Sequence, residues 1–290
     1  MCYFLCSLEI YKHIKLIWRE KMILNIAHRG ARSIAPENTL AAAKKAYDLG
    51  AHMWETDIGV TKDEKLILFH NDSLALTTDA ESRFPDRHPW TFTSFTLDEI
   101  RSLDAGSWFV KTDPHRQILA GNISQKDLDS YCGVKIPTLA EALELTQKLN
   151  WKINLELKVL PDEMKHFPVL DRVLRKLDQM KFTIDQFVIS SFNYDWLQEI
   201  RKRRPEYKVE ALIGYPEVKP LNWGDFEFAS YNVNRKLTTP EEVREVTQKG
   251  IYVGLYNIND KNDMIEFIKA GASRIITDYP QIMTEMGYCR

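Results

Sequence analysis

Cysteine is scarce, with four residues in a chain of 290: Cys2, Cys6, Cys132 and Cys289. So thin and scattered a set excludes a disulfide scaffold. It fits a reducing compartment, and a cytoplasmic location is expected. Glycine and proline, twelve of each, are too few for a fibrous or disordered protein. No apolar run approaches the ~18 residues that a membrane-spanning helix needs. Excess charge of one sign is missing too. Thirty-nine Lys and Arg stand against 41 Asp and Glu, a net charge of −2, so no nucleic-acid partner is expected. What is present is globular: 44% hydrophobic and 28% charged residues, enough for a large core. The length suits one α/β barrel of ~250 residues with an appendage.

Residues 1–21 read apart from the rest. Ile10, Ile14 and Ile17 sit at helical spacing with Lys12, Lys15 and Arg19 between them. No basic residue precedes the apolar stretch Cys2–Leu8 and no small-residue cleavage site follows it, so a secretory signal is not expected. The segment is taken as an N-terminal extension without an assigned role. It is the one place through which membrane contact would arise. A chain starting at Met22 is expected to keep its solubility and activity.

From residue 22 to 290, strand and helix signals alternate. Strands are expected at 23–27, 52–60, 66–69, 152–159, 187–192, 209–214, 228–233, 251–258 and 274–277. Helices are expected at 39–49, 138–149, 163–181, 194–203, 240–248 and 262–269. Thr39 is read near the start of its helix, and Gly50 as its stop. Repeated strand–helix units imply a parallel sheet with right-handed crossovers. Leu66–Phe69 follows the preceding strand after a turn too short for a parallel crossover, so it reads as an antiparallel hairpin arm. Eight strands remain, which gives a (β/α)8 TIM barrel. An open doubly wound sheet is the runner-up, but no glycine-rich phosphate loop follows the first strand. Residues 71–136 break the rhythm, with one clear short helix at 97–103. They read as an insertion after the second barrel strand, over the mouth of the barrel.

Polar residues at the C-terminal ends of barrel strands face the active site. His28-Arg29 ends the first strand and offers an acid/base beside an anion clamp. Glu55 and Asp57, two apart on one strand, share a face. Asn154, Glu156 and Lys158 repeat that pattern, with Leu155, Leu157 and Val159 on the helix-packed face. Three inward carboxylates suit a hard divalent cation, Mg²⁺ or Ca²⁺. Arg29 and Lys158 offer charge for a phosphate. His70 adds a second acid/base. The residues alone describe a metal-dependent barrel enzyme acting on a small anionic ester, and no oligomeric state follows from them.

The order of motifs resembles the glycerophosphodiester phosphodiesterase family. The resemblance is carried by His28-Arg29-Gly30, Pro36-Glu37-Asn38-Thr39, Glu55-Thr56-Asp57, His70 and Leu103-Asp104-Ala105-Gly106. It continues through Ile136-Pro137-Thr138-Leu139, Glu156-Leu157-Lys158, Ser190-Ser191-Phe192 and Thr277-Asp278-Tyr279-Pro280. It implies a (β/α)8 barrel with a small insertion, and hydrolysis of glycerophosphodiesters to sn-glycerol 3-phosphate and an alcohol. It implies His28 and His70 as general acid and base, and Glu55, Asp57 and Glu156 as ligands of one divalent cation. Arg29 and Lys158 would bind the phosphate, with Glu37 and Asn38 shaping the loop. Three positions depart from the family pattern: Asn71 where an Asp is usual, Leu76 where an Arg is frequent, and Tyr256 in place of a late-strand Trp. Tyr256 keeps an aromatic wall on the substrate pocket but adds a hydroxyl. A second reading is a phosphodiesterase directed at lysophospholipids, with Trp90, Phe92, Phe95, Trp108 and Phe109 forming an apolar groove. A third is a binding barrel without catalysis, which would show a broken set of site residues.

Overall fold

A computed structural model describes residues 23–290. The readings of residues 1–21, and the start at Met22, lie outside the described residues. Eight parallel strands close into a barrel: β1 (Leu24–Ala27), β2 (Met53–Val60), β4 (Ile153–Leu157), β5 (Phe187–Ser191), β6 (Val209–Ile213), β7 (Ser230–Asn234), β8 (Tyr252–Tyr256) and β9 (Arg274–Thr277). Closure is made by β1, which pairs in parallel with β9 on one side and with β2 on the other. β3 (Leu66–Leu68) runs antiparallel to β2, as its short turn requires.

The alternation of side chains divides two environments. Trp54, Thr56 and Ile58 face the helices, while Met53, Glu55 and Asp57 face the barrel interior; Glu55 is level with Asn154, and Asp57 with Glu156. Most of the hydrophobic core lies between the sheet and its helices. A separate small cluster of Ile26, Met53, Val188 and Ile276 plugs the barrel axis. Polar pairs share the interior: Arg274 Nε lies 2.9 Å from Glu210 Oε1, and Asn232 donates to Glu210 Oε2 at 2.7 Å.

Local chemistry sets the helix ends. Thr39 Oγ1 accepts from the Ala42 amide and caps the helix Leu40–Asp48. Thr138 and Thr239 each form a reciprocal capping box with a glutamate three residues on, Glu141 and Glu242. The helical reading of 163–181 is too long at its start. Pro168 separates a 3₁₀ turn, Asp162–Met164, from the helix Val169–Gln179, because a proline lacks the amide that an interior position needs. β6 and β7 are joined by 16 residues that contain no helix.

The insertion departs from expectation in two ways. Besides Leu97–Ser102 it holds three more short helices, Ala80–Arg83, Ser107–Thr112 and Gln125–Tyr131, each too short to show a period. Its aromatic residues do not form a groove: Phe92, Phe95 and Phe109 are buried in the core. Trp90 and Trp108 pack against that core and donate to the carbonyls of Phe84 and Ala105. The insertion buttresses the loop after β1, with the Tyr131 hydroxyl on the Ile34 carbonyl at 2.8 Å, and touches the segment after β9, where His115 lies edge-on to Tyr279.

Candidate active site

The site begins with a backbone turn. Arg29 and Gly30 both take positive φ, 54° and 81°, directly after β1. A Cβ at Gly30 would lie 2.6 Å from Ala42, so only glycine fits against the following helix. The turn aims the Arg29 amide at Glu55 Oε2 (3.0 Å) and swings the guanidinium to Glu37 Oε1 (2.8 Å) and Asp57 Oδ2 (3.3 Å).

Glu55, Asp57 and Glu156 each offer an oxygen within 4.8 Å of the others, which brings the expected ligands together. Burial, then Asp57 and Glu156, raise Glu55 well above the usual carboxylate range. Burial and Asp57 push Glu156 up to about 8. Burial would raise Asp57 as well, but positive neighbours, Arg29 and Lys158 among them, and the Asn38 amide hold it far below its ordinary value. Glu55 Oε1 is buried without a hydrogen-bond partner. An all-oxygen donor set with mutual repulsion and an orphaned oxygen fits a hard divalent cation.

Both histidines reach the same cavity, of about 170 Å³, beside Arg29, Glu55 and Glu156. His28 Nδ1 lies 2.6 Å from Asp278 Oδ1, and its Nε2 lies 3.9 Å from Glu55 Oε2. Burial and Arg29 lower His28 to about 4, with Asp278 opposing them, so the ring is neutral at pH 7. Asn257 Nδ2 lies 2.6 Å from the same Nδ1; because the Asp278 carboxylate can only accept, we assign the proton to Nδ1, which leaves Nε2 its lone pair. Asp278 therefore owes its low proton affinity to that hydrogen bond, to Arg32 and to Asn259 rather than to an imidazolium. Burial lowers His70 as well, partly offset by Asp57. Its Nδ1 meets Asn71 Oδ1 at 3.2 Å, so the amide supplies the acceptor that an aspartate would, without its charge.

Lys158 stands at the rim, with Nζ on the His70 carbonyl at 2.9 Å and 3.8 Å from Asp57. Tyr256 lines the cavity, but its hydroxyl is spent on the Ile213 carbonyl at 2.8 Å. What it presents to substrate is its ring. Leu76 is 64% exposed on the insertion. Val159, expected on the helix-packed face, lies beyond the end of β4 and is 68% exposed, since past the last paired residue the alternation no longer holds.

Sequence reasoning gave no role to Asp278, Asn257, Asn259 or Arg32. Asn257 and Asn259 donate to the two oxygens of Asp278 at 3.2 and 2.8 Å, and Arg32 ties Glu37 at 2.7 Å. The available signal was position, because Asp278 ends the last barrel strand as His28 ends the first.

The chain matches the model of the glycerophosphoryl diester phosphodiesterase family over residues 28–282. It belongs to that family, and its enzyme class is that of the phosphoric diester hydrolases. A glycerophosphodiester phosphodiesterase of Caldanaerobacter subterraneus subsp. tengcongensis is 30% identical over 266 residues, covering 91% of this chain and 97% of that one. One from Bacillus subtilis is 28% identical, covering 90% and 85%. Among solved structures, an Oleispira antarctica phosphodiesterase in complex with the product sn-glycerol-3-phosphate superposes with a TM-score of 0.71. It is 27% identical and covers 90% of this chain and 96% of that one. No described helix is long and apolar enough to cross a membrane.

Proposed function

We propose that this family member hydrolyses glycerophosphodiesters to sn-glycerol 3-phosphate and an alcohol, with Glu55, Asp57 and Glu156 holding one divalent cation and His28 and His70 moving the protons. The observation that carries this reading is the carboxylate triad, two of whose members, Glu55 and Glu156, line the cavity that both histidines also line. A bound cation would polarise a phosphoryl oxygen and offset its growing charge.

The chain's own groups supply the rest. Arg29, fixed by Glu37 and Asp57, keeps a positive edge on the cavity where a phosphate oxygen would sit. His28 and His70 divide two tasks: the ring that is neutral takes a proton from the attacking oxygen, and the ring that carries an extra proton as imidazolium gives it to the leaving alkoxide. Asp278 holds the His28 ring in the tautomer that leaves Nε2 free, and Asn71 orients His70. A binding barrel without catalysis would lack part of this set, yet every member is present.

The test is release of sn-glycerol 3-phosphate from several diesters, with and without chelator. Release that stops with chelator and returns with excess Mg²⁺ or Ca²⁺ agrees with the reading. Full activity in metal-free protein rejects the cation, and no release from any diester rejects the activity.

A further inference from the structure

The cavity has two unlike halves. Carboxylates, histidines and Arg29 from β1, β2, β4 and the hairpin form one. Phe192, Leu212, Tyr215, Tyr256 and Ile276, from the strands that follow, form the other. The apolar half does not end at the cavity. Phe192, Leu212 and Tyr215 also line an open groove of about 730 Å³ that runs outward over the ends of β5 and β6. A row of three rings joins the two spaces: Tyr256 lies 6.1 Å from Phe192, and Phe192 lies 5.7 Å from Tyr215. Along the groove Tyr215 is 77%, Val159 68% and Val218 61% exposed, a concentration of uncovered apolar side chains beside a polar reaction centre. Leu221 completes its wall. Its one charged lining residue is Asp195, so no lysine or arginine there would hold an anionic headgroup.

A phosphodiester has two arms. The floor of the cavity suits the one with hydroxyls, because Asn154 Nδ2 is buried there without a partner, next to Ser190, whose hydroxyl donates to Asn154 Oδ1 at 2.9 Å. That leaves the other arm facing the aromatic row. We propose that the groove binds an alkyl chain on the alcohol arm, so that the enzyme prefers amphiphilic glycerophosphodiesters of long-chain alcohols to those of small polar alcohols. This rests on the proposed hydrolysis and names its substrate class.

The experiment is a homologous series, glycerophosphoethanol to glycerophospho-octanol, kept below aggregation and compared with glycerophosphocholine. Each methylene buried is worth up to about fourfold in kcat/KM, so the series should climb steeply and level off when the groove is full. Val218→Asp and Leu221→Ser should flatten it, judged by the octyl-to-ethyl ratio within each variant. A flat series from an enzyme that cleaves the ethyl ester would overturn the groove while leaving the hydrolysis intact. Absence of cleavage for every diester would overturn both. A rise seen only above the aggregation threshold would show that the patch meets a lipid surface rather than one chain. Preference for a 1-acyl-glycerophosphocholine over the octyl ester would place the chain on the glycerol arm, and a dimer that Val218→Asp dissociates would give the patch to a second copy. Each of these three would overturn the assignment.

Discussion

His28 shows how much of a site depends on one atom's partner. Its Nδ1 contact with Asp278 decides the tautomer, and the tautomer decides whether Nε2 can receive a proton. His28→Ala and His70→Ala should each lower turnover by ~10²-fold or more on a substrate with a poor leaving group, the range of a positioned acid or base. A substrate with a very good leaving group should be rescued in whichever variant lacks the acid. Near-wild-type turnover of the poor substrate in either variant would sink the two-histidine mechanism. Asp278→Asn keeps the shape but can present the wrong hydrogen-bonding group to Nδ1. A loss between about tenfold and ~10⁴-fold in kcat is expected, with KM little changed. The pH profile has a definite sign. Burial and positive neighbours lower both histidines, and a bound cation pushes the same way, so whichever ring acts as base stays neutral to lower pH. The acid limb of kcat/KM should therefore fall below the unperturbed value of ~6.5. The ligands and histidines were legible because strand periodicity and chain chemistry mark them locally. Asp278 was not, because its role is a contact across 250 residues of sequence.

At the scale of elements, the motif Leu103-Asp104-Ala105-Gly106 proves to be structural. Asp104 Oδ1 accepts from the amides of Gly106 and Ser107, and its Oδ2 from the Ser107 hydroxyl. Gly106 allows the chain to pass against the Tyr131 carbonyl, where a Cβ would sit only 1.8 Å from the oxygen. The neighbour is backbone, so it cannot turn aside. Gly106→Ala should cost at least ~1–3 kcal/mol, as overpacking does, read as a lower denaturant midpoint. Because the motif lies in the insertion and not on the cavity, the folded fraction should keep its metal affinity. An unchanged midpoint would show that the helices Ser107–Thr112 and Gln125–Tyr131 separate freely. The barrel strands were readable because each alternates or ends at a turn signal. The insertion was not, since its helices of four to seven residues leave no period and are fixed by packing around Phe95 and Phe109.

The carboxylates join the barrel's chemistry to its stability as a whole. Glu55 and Asp57 come from β2 and Glu156 from β4, and these neighbouring strands belong to one closed hydrogen-bonded ring. A cation that binds only the folded ring stabilises it by about 2.7 kcal/mol at a hundred times its Kd. For a chain of this size that is roughly 5 °C or more in Tm, so chelation should lower Tm by about that much. The effect should depend on pH with a fixed direction. Glu156, pushed up to about 8, is largely protonated in the metal-free protein near neutral pH, and Glu55 is raised in the same direction. A ligand oxygen must lose its proton to bind, so metal competes with protons and binding releases them. The Tm gap between loaded and chelated protein should be widest above pH 8 and should shrink as pH falls through that value. Titration calorimetry in buffers of different ionisation enthalpy should show proton release at pH 7 that Glu156→Gln reduces. A Tm gap that stayed constant from pH 6 to 9, with no buffer dependence, would mean that these carboxylates are already ionised without the cation. The counter-charge would then come from Arg29 and Lys158 alone.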